Sequence, residues 1–348
     1  MSFYNNKIYM EDLHIAVNSS VDIEKLFGCS VMITGASGLI GSYLTDMLLL
    51  CNKERNADIT IYAIDLSTER MKSRFEGLIT DKLIFIEHNV NNAPTFDFNV
   101  DYIIHAASNA YPAVFNTDPV GTIMSNILGT KHLLDYGKKH NSQRLLYISS
   151  GEVYGQGDIG LDSFVETYSG YVDPTSARSC YPNGKRTAET LCVSYTKQYG
   201  FDTVIVRPSH TYGANATIYD NRANVQFVNN AVKGEDIVLN SAGKQRRSYT
   251  YIADTASAIL TVLAKGDSCN AYNIANESST ATIAEFAEIV AKCTGVKVLF
   301  TNPDSKAKSE SSPIAKQVLN NNKLVRLGWS GNYSVQKGIS NIIQILTD

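Results

Sequence analysis

Two groups of residues in this 348-residue chain have the types and the spacing for chemistry. The first is the run VMITGASGLIG at 31–41, where an apolar segment meets glycines at 35, 38 and 41 and passes into a helical pattern. Such glycines permit a tight turn and let the backbone approach a pyrophosphate. The anion then rests on the N-terminus of the following helix, where free N–H groups and the positive dipole end favour it. Gly35, Gly38, Leu39, Ile40 and Gly41 are the candidate cradle. A second strand-like run ends at Asp65, 24 residues beyond Gly41, where a carboxylate can accept hydrogen bonds from an adenosine ribose. Glycines alone describe an ordinary strand–helix turn; strand, glycines, helix, strand and acid in that order point to a dinucleotide. Leu66 and Ser67 follow Asp65 with no adjacent base, and a carboxylate repels a 2′-phosphate, so NAD is expected over NADP. Arg70 is the feature that counts the other way.

The second group is SCYPNGKR at 179–186. Tyr181 and Lys185 lie four apart at a helix start, with Pro182 suited to a first helical turn. Residues i and i+4 share a face, so an ammonium can sit near both the phenol and the ribose. A free phenol has a pKa of about 10, so a base working near neutrality must be lowered by about two to three units, or about 3–4 kcal/mol. A lysine ammonium and a positive nicotinamide ring can supply this by favouring the phenolate. Alone, the tyrosine–lysine spacing describes an ordinary helix start. Its position after a glycine turn makes it specific.

These residues need a scaffold, and the apolar pattern supplies one. Short runs rich in Ile, Val, Leu or Tyr fall at Ser30–Thr34, Asp58–Ile64, Leu83–Glu87, Asp101–His105, Arg144–Ser149 and Thr203–Arg207. Several are near-continuous, as in strands covered on both faces. Between them, Leu39–Cys51 puts Leu44, Met47 and Leu48 on one stripe, and Gly121–Lys139 does the same with Met124, Ile127, Leu128 and Leu134. The alternation predicts an α/β fold, a doubly wound parallel (Rossmann) sheet, with a smaller C-terminal substrate-binding lobe. The expected organisation is an extension over 1–28 with a helix around Ser20–Phe27, an NAD-binding domain over 29–207, and a lobe over 208–348 of which about 249–275 returns to the first domain. One helix is expected near Val225–Lys233.

Composition narrows the class. At 44% hydrophobic and 19% charged the chain can bury a sizeable core. A net charge of −3 with scattered bases gives no nucleic-acid surface. No apolar run is long enough for a bilayer, and the N-terminus lacks the order of a secretion signal, so no membrane partner is expected. The six cysteines form no CxxC pair, which suits a reducing, cytoplasmic compartment and argues against a disulfide framework or a metal site.

The chain resembles extended short-chain dehydrogenases/reductases of the nucleotide-sugar epimerase/dehydratase family. The carrying segments are TGASGLIG at 34–41, HAAS at 105–108, NILGT at 126–130, YISSGEVYG at 147–155, SARSCYPNGKR at 176–186, RPSHTYG at 207–213 and RRSYTYIAD at 246–254. The resemblance implies an NAD-dependent enzyme with a nucleotide-sugar substrate, and a homodimer formed through the helices holding Met124–Leu134 and Lys185–Tyr199. It implies that Ser150 bonds the sugar 4-hydroxyl and helps pass its proton to Tyr181 while hydride leaves C4, giving a 4-keto sugar. Leu66 adjoins the adenosine contact. Asn89 and Val90 fall where relatives place an acid and an aliphatic residue against adenine, and Ala106, Ala107 and Ser108 match the wall of the cofactor cleft. Arg247 matches an arginine that holds the substrate diphosphate, beside Arg246, which could make both mere surface charge. His210 stands where the family has a substrate-contacting asparagine, and reads equally as a structural histidine.

Three net reactions share the C4 oxidation. The 4,6-dehydratase relatives carry Asp-Glu after the active-site Thr. This chain has Gly151 and Glu152, so the acid is missing. UDP-glucuronate decarboxylases carry Thr-Ser-Glu there, and their SARSCY…GKR…AET run is the nearest similarity. They also carry an arginine after the YGP turn to meet a carboxylate, where this chain has Asn215; Arg222, in the same loop, is the candidate substitute. An epimerase needs neither, so 4-epimerisation is favoured by elimination, with decarboxylase-like or dehydratase-like activity as alternatives. Glu152, two residues from Ser150, is expected in the site. Loss of the tyrosine or lysine would instead mark a non-catalytic NAD-binding regulator on the same fold; Ser150, Tyr181 and Lys185 are all present.

Overall fold

The computed structural model describes residues 3–110, 112–217, 220–301 and 314–348. Its centre is a seven-stranded parallel sheet of β1 (Ser30–Thr34), β2 (Thr60–Asp65), β3 (Leu83–Glu87), β4 (Tyr102–His105), β5 (Arg144–Ile148), β6 (Thr203–Pro208) and β10 (Ala271–Ile274), in the order β10-β6-β5-β4-β1-β2-β3. The helices α2 (Leu39–Arg55), α3 (Thr68–Arg74), α4 (Pro112–Thr117), α5 (Pro119–Lys139), α6 (Cys180–Tyr199) and α8 (Ile252–Lys265) accompany it. This is the doubly wound α/β fold that the alternation predicts. The β1 and β3 bounds coincide with the expected runs, because both runs are apolar between polar or glycine-bearing neighbours. Four of the five residues of β1 are buried, as a strand covered on both faces requires. The chain direction of winding reverses between β1 and β4, and ligands of such sheets bind beyond the strand ends at that crevice.

Two helices frame the crevice. Asp118 caps α5 by accepting from the Gly121 amide at 2.9 Å, with Pro119 in the first turn. The helix α6 ends on Gly200 at φ +71°, a left-handed stop that glycine adopts without strain. They approach closely at Gly184, where a Cβ would stand 3.3 Å from that of Asn126.

The second layer of structure is smaller. Strand β9 (Arg246–Tyr251) pairs with β7 (His210–Tyr212), β11 (Thr280–Thr282) and β13 (Lys316–Gln317), and β8 (Ile237–Leu239) pairs with β12 (Val298–Phe300). The helices α7 (Ala223–Val232), α9 (Ile283–Thr294), α10 (Asn322–Val325) and α11 (Val335–Thr347) complete it. Thr282 and Glu285 form a reciprocal capping box at the start of α9. Phe286, Tyr249 and Tyr212 pack together between these elements.

The N-terminal segment differs from expectation. Its main helix is α1 (Lys7–Ser19), capped by Asn6, whereas Ile23–Leu26, inside the expected helix, forms only a single 3₁₀ turn. The α1 face of Tyr9, Leu13, Ala16 and Val17 is buried in the main core, against α2, α8 and α11. Among the described residues no helix is long and apolar enough to cross a membrane, and no cluster of His, Cys, Asp or Glu could hold a metal.

Candidate active site

A cleft of about 480 Å³ runs along the C-terminal ends of the strands. One end is built by the glycine turn. Gly35 sits at φ +69°, and a Cβ there would stand 2.9 Å from the Ala107 Cα; a Cβ on Gly41 would stand 2.3 Å from the Gly35 carbonyl oxygen. Side chains would therefore force apart the backbone of the cradle. Gly38 is the N-cap of α2 and offers no side-chain acceptor, so the helix N-terminus is left to a ligand. Gly35, Gly38, Leu39, Ile40 and Gly41 all line this end, as do Asp65 and Leu66. Asn89, Val90, Ala106, Ala107 and Ser108 form the neighbouring wall. The Asn89 side chain accepts from the Asn91 amide at 3.0 Å, shaping its own turn. A cradle that only glycine fits, a bare helix N-terminus and a carboxylate beyond it form the donor and acceptor set of an adenine dinucleotide, so these residues fit NAD.

The other end holds the titratable groups. The strand end of β5 presents Ser150, and the first turn of α6 presents Tyr181 and, one turn on, Lys185. All three line the cleft together with Glu152. Ser150 Oγ accepts from the Glu152 amide at 3.1 Å. That leaves its own proton uncommitted, and Ser150 favours the ionised form of the Tyr181 phenol. Burial pushes the Tyr181 phenol up to about 12; the Ser150 bond pulls it down, Glu152 pushes it up, and Arg222 and Arg178 pull it down. Burial likewise brings Lys185 down to about 7, with Glu189 acting against it. Its ammonium donates to the Ile148 carbonyl at 2.7 Å and lies 5.7 Å from the Tyr181 ring centre. The phenol is therefore not yet a base in the free protein: it requires a further positive charge beside it.

Several neighbours could not be read from the sequence. Glu152 is paired with Arg178, whose guanidinium nitrogen lies 3.2 Å from both carboxylate oxygens. Arg178 also lies over Phe115, which stacks on the Tyr181 ring at 4.7 Å between centres. Behind Lys185, Glu189 accepts from Ser149 Oγ at 2.5 Å and from two nitrogens of Arg207 at 2.9 and 2.6 Å. Gln317 lines the cleft, with its side chain beside Gly151: a Cβ at Gly151 would stand 3.4 Å from the Gln317 amide carbon and 3.3 Å from Leu319. The space a dehydratase acid would enter is thus already bordered by these two side chains.

The substrate candidates divide. His210 lines the cleft; burial first, then Arg247 and Arg222, bring it down to about 3, so it is a neutral imidazole. Its Nδ1 is buried and has no partner among the described residues. Arg222 also lines the cleft, but Asp220 engages it through three bonds of 2.6–3.1 Å, which answers its charge. Two candidates stand apart from the lining. Asn215 is not among the lining residues: its amide donates to the Leu39 carbonyl at 2.8 Å and Ser42 Oγ at 2.9 Å, tying its loop to the first turn of α2. Arg247 is likewise outside the lining, because β9 carries it inward, 3% exposed, where it donates to the carbonyls of Arg246 and Ile314. Arg246, by contrast, is exposed.

Comparison with known proteins agrees with this geometry. Residues 31–275 match the family model described as the NAD dependent epimerase/dehydratase family. A UDP-glucuronic acid decarboxylase of Arabidopsis thaliana is 32% identical over 314 residues, covering 89% of this chain and 86% of its own. Among solved structures, the dTDP-glucose 4,6-dehydratase of Streptomyces venezuelae superposes with a TM-score of 0.78 at 22% identity, covering 91% of this chain and 96% of that one. The UDP-glucuronic acid 4-epimerase of Bacillus cereus does so with a TM-score of 0.76 at 20% identity, covering 91% and 98%. At such identities the two structures speak for the fold.

Proposed function

Because this chain belongs to the NAD-dependent epimerase/dehydratase family, we propose that it oxidises the C4 carbinol of a nucleotide-activated sugar and that its net reaction is decarboxylation of a UDP-glucuronate-like substrate. The observation that carries the oxidation is the convergence of Ser150, Tyr181 and Lys185 at one end of the cleft whose other end is the glycine cradle. Bound NAD supplies a hydride acceptor and a positive ring. The cradle and Asp65 would hold the dinucleotide, and Ile148 and Lys185 line the same cleft. Tyr181 takes the proton of the C4 hydroxyl, and Ser150 donates to the phenolate as it forms. Lys185 adds positive charge to the same region when protonated.

Decarboxylation follows from the product of that step. Once C4 is a ketone, a C6 carboxylate lies β to it. The C5–C6 bond can break with its electron pair passing through C5 onto the C4 oxygen, releasing carbon dioxide. Hydroxyls of Ser150 and Tyr181 at that oxygen stabilise the enolate; protonation at C5, return of the hydride to C4 and return of the Tyr181 proton to the C4 oxygen would then leave loss of carbon dioxide as the net change. This needs no carboxylate clamp, so the missing arginine at Asn215 does not forbid it. The relatives named as decarboxylases and the Glu152 that follows Ser150 support this reading over the epimerase that elimination favoured. A second reading, 4-epimerisation of an uncharged sugar, is supported by the pairing of Arg222 with Asp220 and of Arg178 with Glu152. Incubation with UDP-glucuronate and a panel of UDP-, dTDP-, CDP- and GDP-hexoses, read by mass spectrometry, decides between them. Release of carbon dioxide supports decarboxylation, and unchanged mass with inverted C4 supports epimerisation. No change in any sugar would remove the proposed oxidation.

A further inference from the structure

A carboxamide with nothing to bond lies at the sugar end of the cleft. Gln317 is 2% exposed and lines the cleft. Among the described residues no group hydrogen-bonds its side chain. A buried amide without a partner is unfavourable, so one that borders a cleft is suited to a ligand. Its backbone is held on both sides. Gln317 is in register with Arg247 of β9, and the next carbonyl, that of Val318, accepts from the Phe164 amide at 2.8 Å. The amide is thus placed by a strand and not by polar contacts of its own. A Cβ at Gly151 would stand 3.4 Å from the amide carbon and 3.5 Å from the amide oxygen. Gln317 therefore fills the space that a side chain between Ser150 and Glu152 would take. The neighbouring guanidiniums are committed: Arg178 to Glu152, Arg222 to Asp220, and Arg247 to two carbonyls.

We propose that the Gln317 carboxamide receives the C6 carboxylate of the sugar, its N–H donating to a carboxylate oxygen, and so determines which sugars the site takes. This rests on the decarboxylase reading and names the contact for the group that leaves. The C4 hydroxyl meets Ser150, C6 is two bonds from C4, and the amide borders the residue next to Ser150. A neutral donor suits a group that must lose its charge. As the C5–C6 bond breaks, its electron pair passes to the C4 oxygen and the carboxylate departs as uncharged carbon dioxide. A guanidinium pair would hold the carboxylate tightly in the ground state and be lost in the transition state. An amide orients the same group with a weaker hold, which leaves less to break.

The test reads binding and turnover separately. Binding is measured by calorimetry on the NAD-loaded protein in a Tyr181→Phe background, which prevents turnover, with UDP-glucuronate and with UDP-xylose, the same sugar without C6. Gln317→Met, of similar volume, should weaken UDP-glucuronate by about tenfold or more and leave UDP-xylose unchanged. Gln317→Glu, of the same shape but negative, should weaken UDP-glucuronate further and again spare UDP-xylose, which also shows that the fold is kept. With Tyr181 intact, Gln317→Met should raise KM for UDP-glucuronate by a similar factor with kcat unchanged or higher, because the lost bond belongs to the ground state. An equal loss for both ligands, an unaltered UDP-glucuronate affinity, or a fall in kcat at constant KM would overturn the inference and leave decarboxylation standing. Selective loss of UDP-glucuronate binding in an enzyme that releases no carbon dioxide would uphold the contact and sink the decarboxylase reading instead.

Discussion

Replacing Ser150 with alanine separates two things the hydroxyl can do: contact the sugar and tune the phenol. In the free protein Tyr181 stands at about 12. Five units above neutrality correspond to about 7 kcal/mol against the phenolate, at 1.36 kcal/mol per unit. Ser150 Oγ already accepts from the Glu152 amide, so its proton is free to meet the Tyr181 oxygen as the phenolate forms, a form that Ser150 favours. A hydrogen bond to a charged group contributes about 1.5–3 kcal/mol, which is about one to two pH units. The bound cofactor shifts both enzymes downward together, so the difference between them should survive. The assay is the pH dependence of kcat/KM. Both profiles should rise with pH and level off as the phenol ionises. In Ser150→Ala the levelling should come about one to two units higher, and below both inflections its rate should be about 10- to 100-fold lower. Ser150→Thr, which keeps the hydroxyl, should restore the wild-type inflection. An unmoved inflection with a lower plateau would refute the reasoning: Ser150 would then act on the substrate alone.

The other predictions concern the cradle and the groups behind the phenol. Gly41→Ala places a methyl 2.3 Å from a backbone oxygen that cannot move aside; NAD affinity should fall by at least about tenfold in calorimetry, with a stability loss of about 1–3 kcal/mol. Glu189→Gln leaves the Arg207 charge without its buried partner, and urea unfolding should show a loss of about 3–5 kcal/mol. The double variant with Arg207→Gln should lose less than the sum of the two. Lys185 has its folded pKa depressed to about 7 against 10.5, so the unfolded chain binds more protons between those values and stability should rise with pH from about 7 to about 10. Lys185→Met should lack that rise in a series of thermal melts and should also lose turnover.

The sequence made the scaffold legible where one physical signal dominated. The strands β1 and β3 stand out because unbroken apolar runs are bounded by polar residues, and the cradle because three glycines follow such a run. The helix α1 does not stand out in the sequence although Tyr9, Leu13, Ala16 and Val17 fall at helical spacing behind the capping Asn6. The acid at position 12 lies on the same buried face, which breaks the apolar stripe that a pattern search requires. Asn215 and Arg247 show a different limit. Both were placed by type and position in a motif, but side-chain direction depends on which neighbour offers a partner. A helix carbonyl and hydroxyl draw Asn215 away, and β9 turns Arg247 inward. The Glu152–Arg178 contact joins residues 26 apart through a loop and a helix start, and no local spacing encodes it.

Two buried acids explain how the N-terminal segment bears on the site. Asp46 lies on α2, the helix whose first turn is the dinucleotide cradle, and it is bonded by Tyr4 and Tyr9 of the N-terminal segment and by Arg74 of α3. Asp12 of α1 accepts from Tyr251 at 2.6 Å, Tyr333 at 2.7 Å and Asn341 at 2.8 Å. Tyr251 ends β9, the strand that pairs with the one carrying His210. One short helix thereby ties the cofactor-cradling helix to the strand system on the substrate side. Each acid is nearly or fully buried and surrounded by donors, an arrangement that is favourable only when every partner is in place. The spacing between the cradle and the substrate wall is therefore set partly by residues that touch neither ligand.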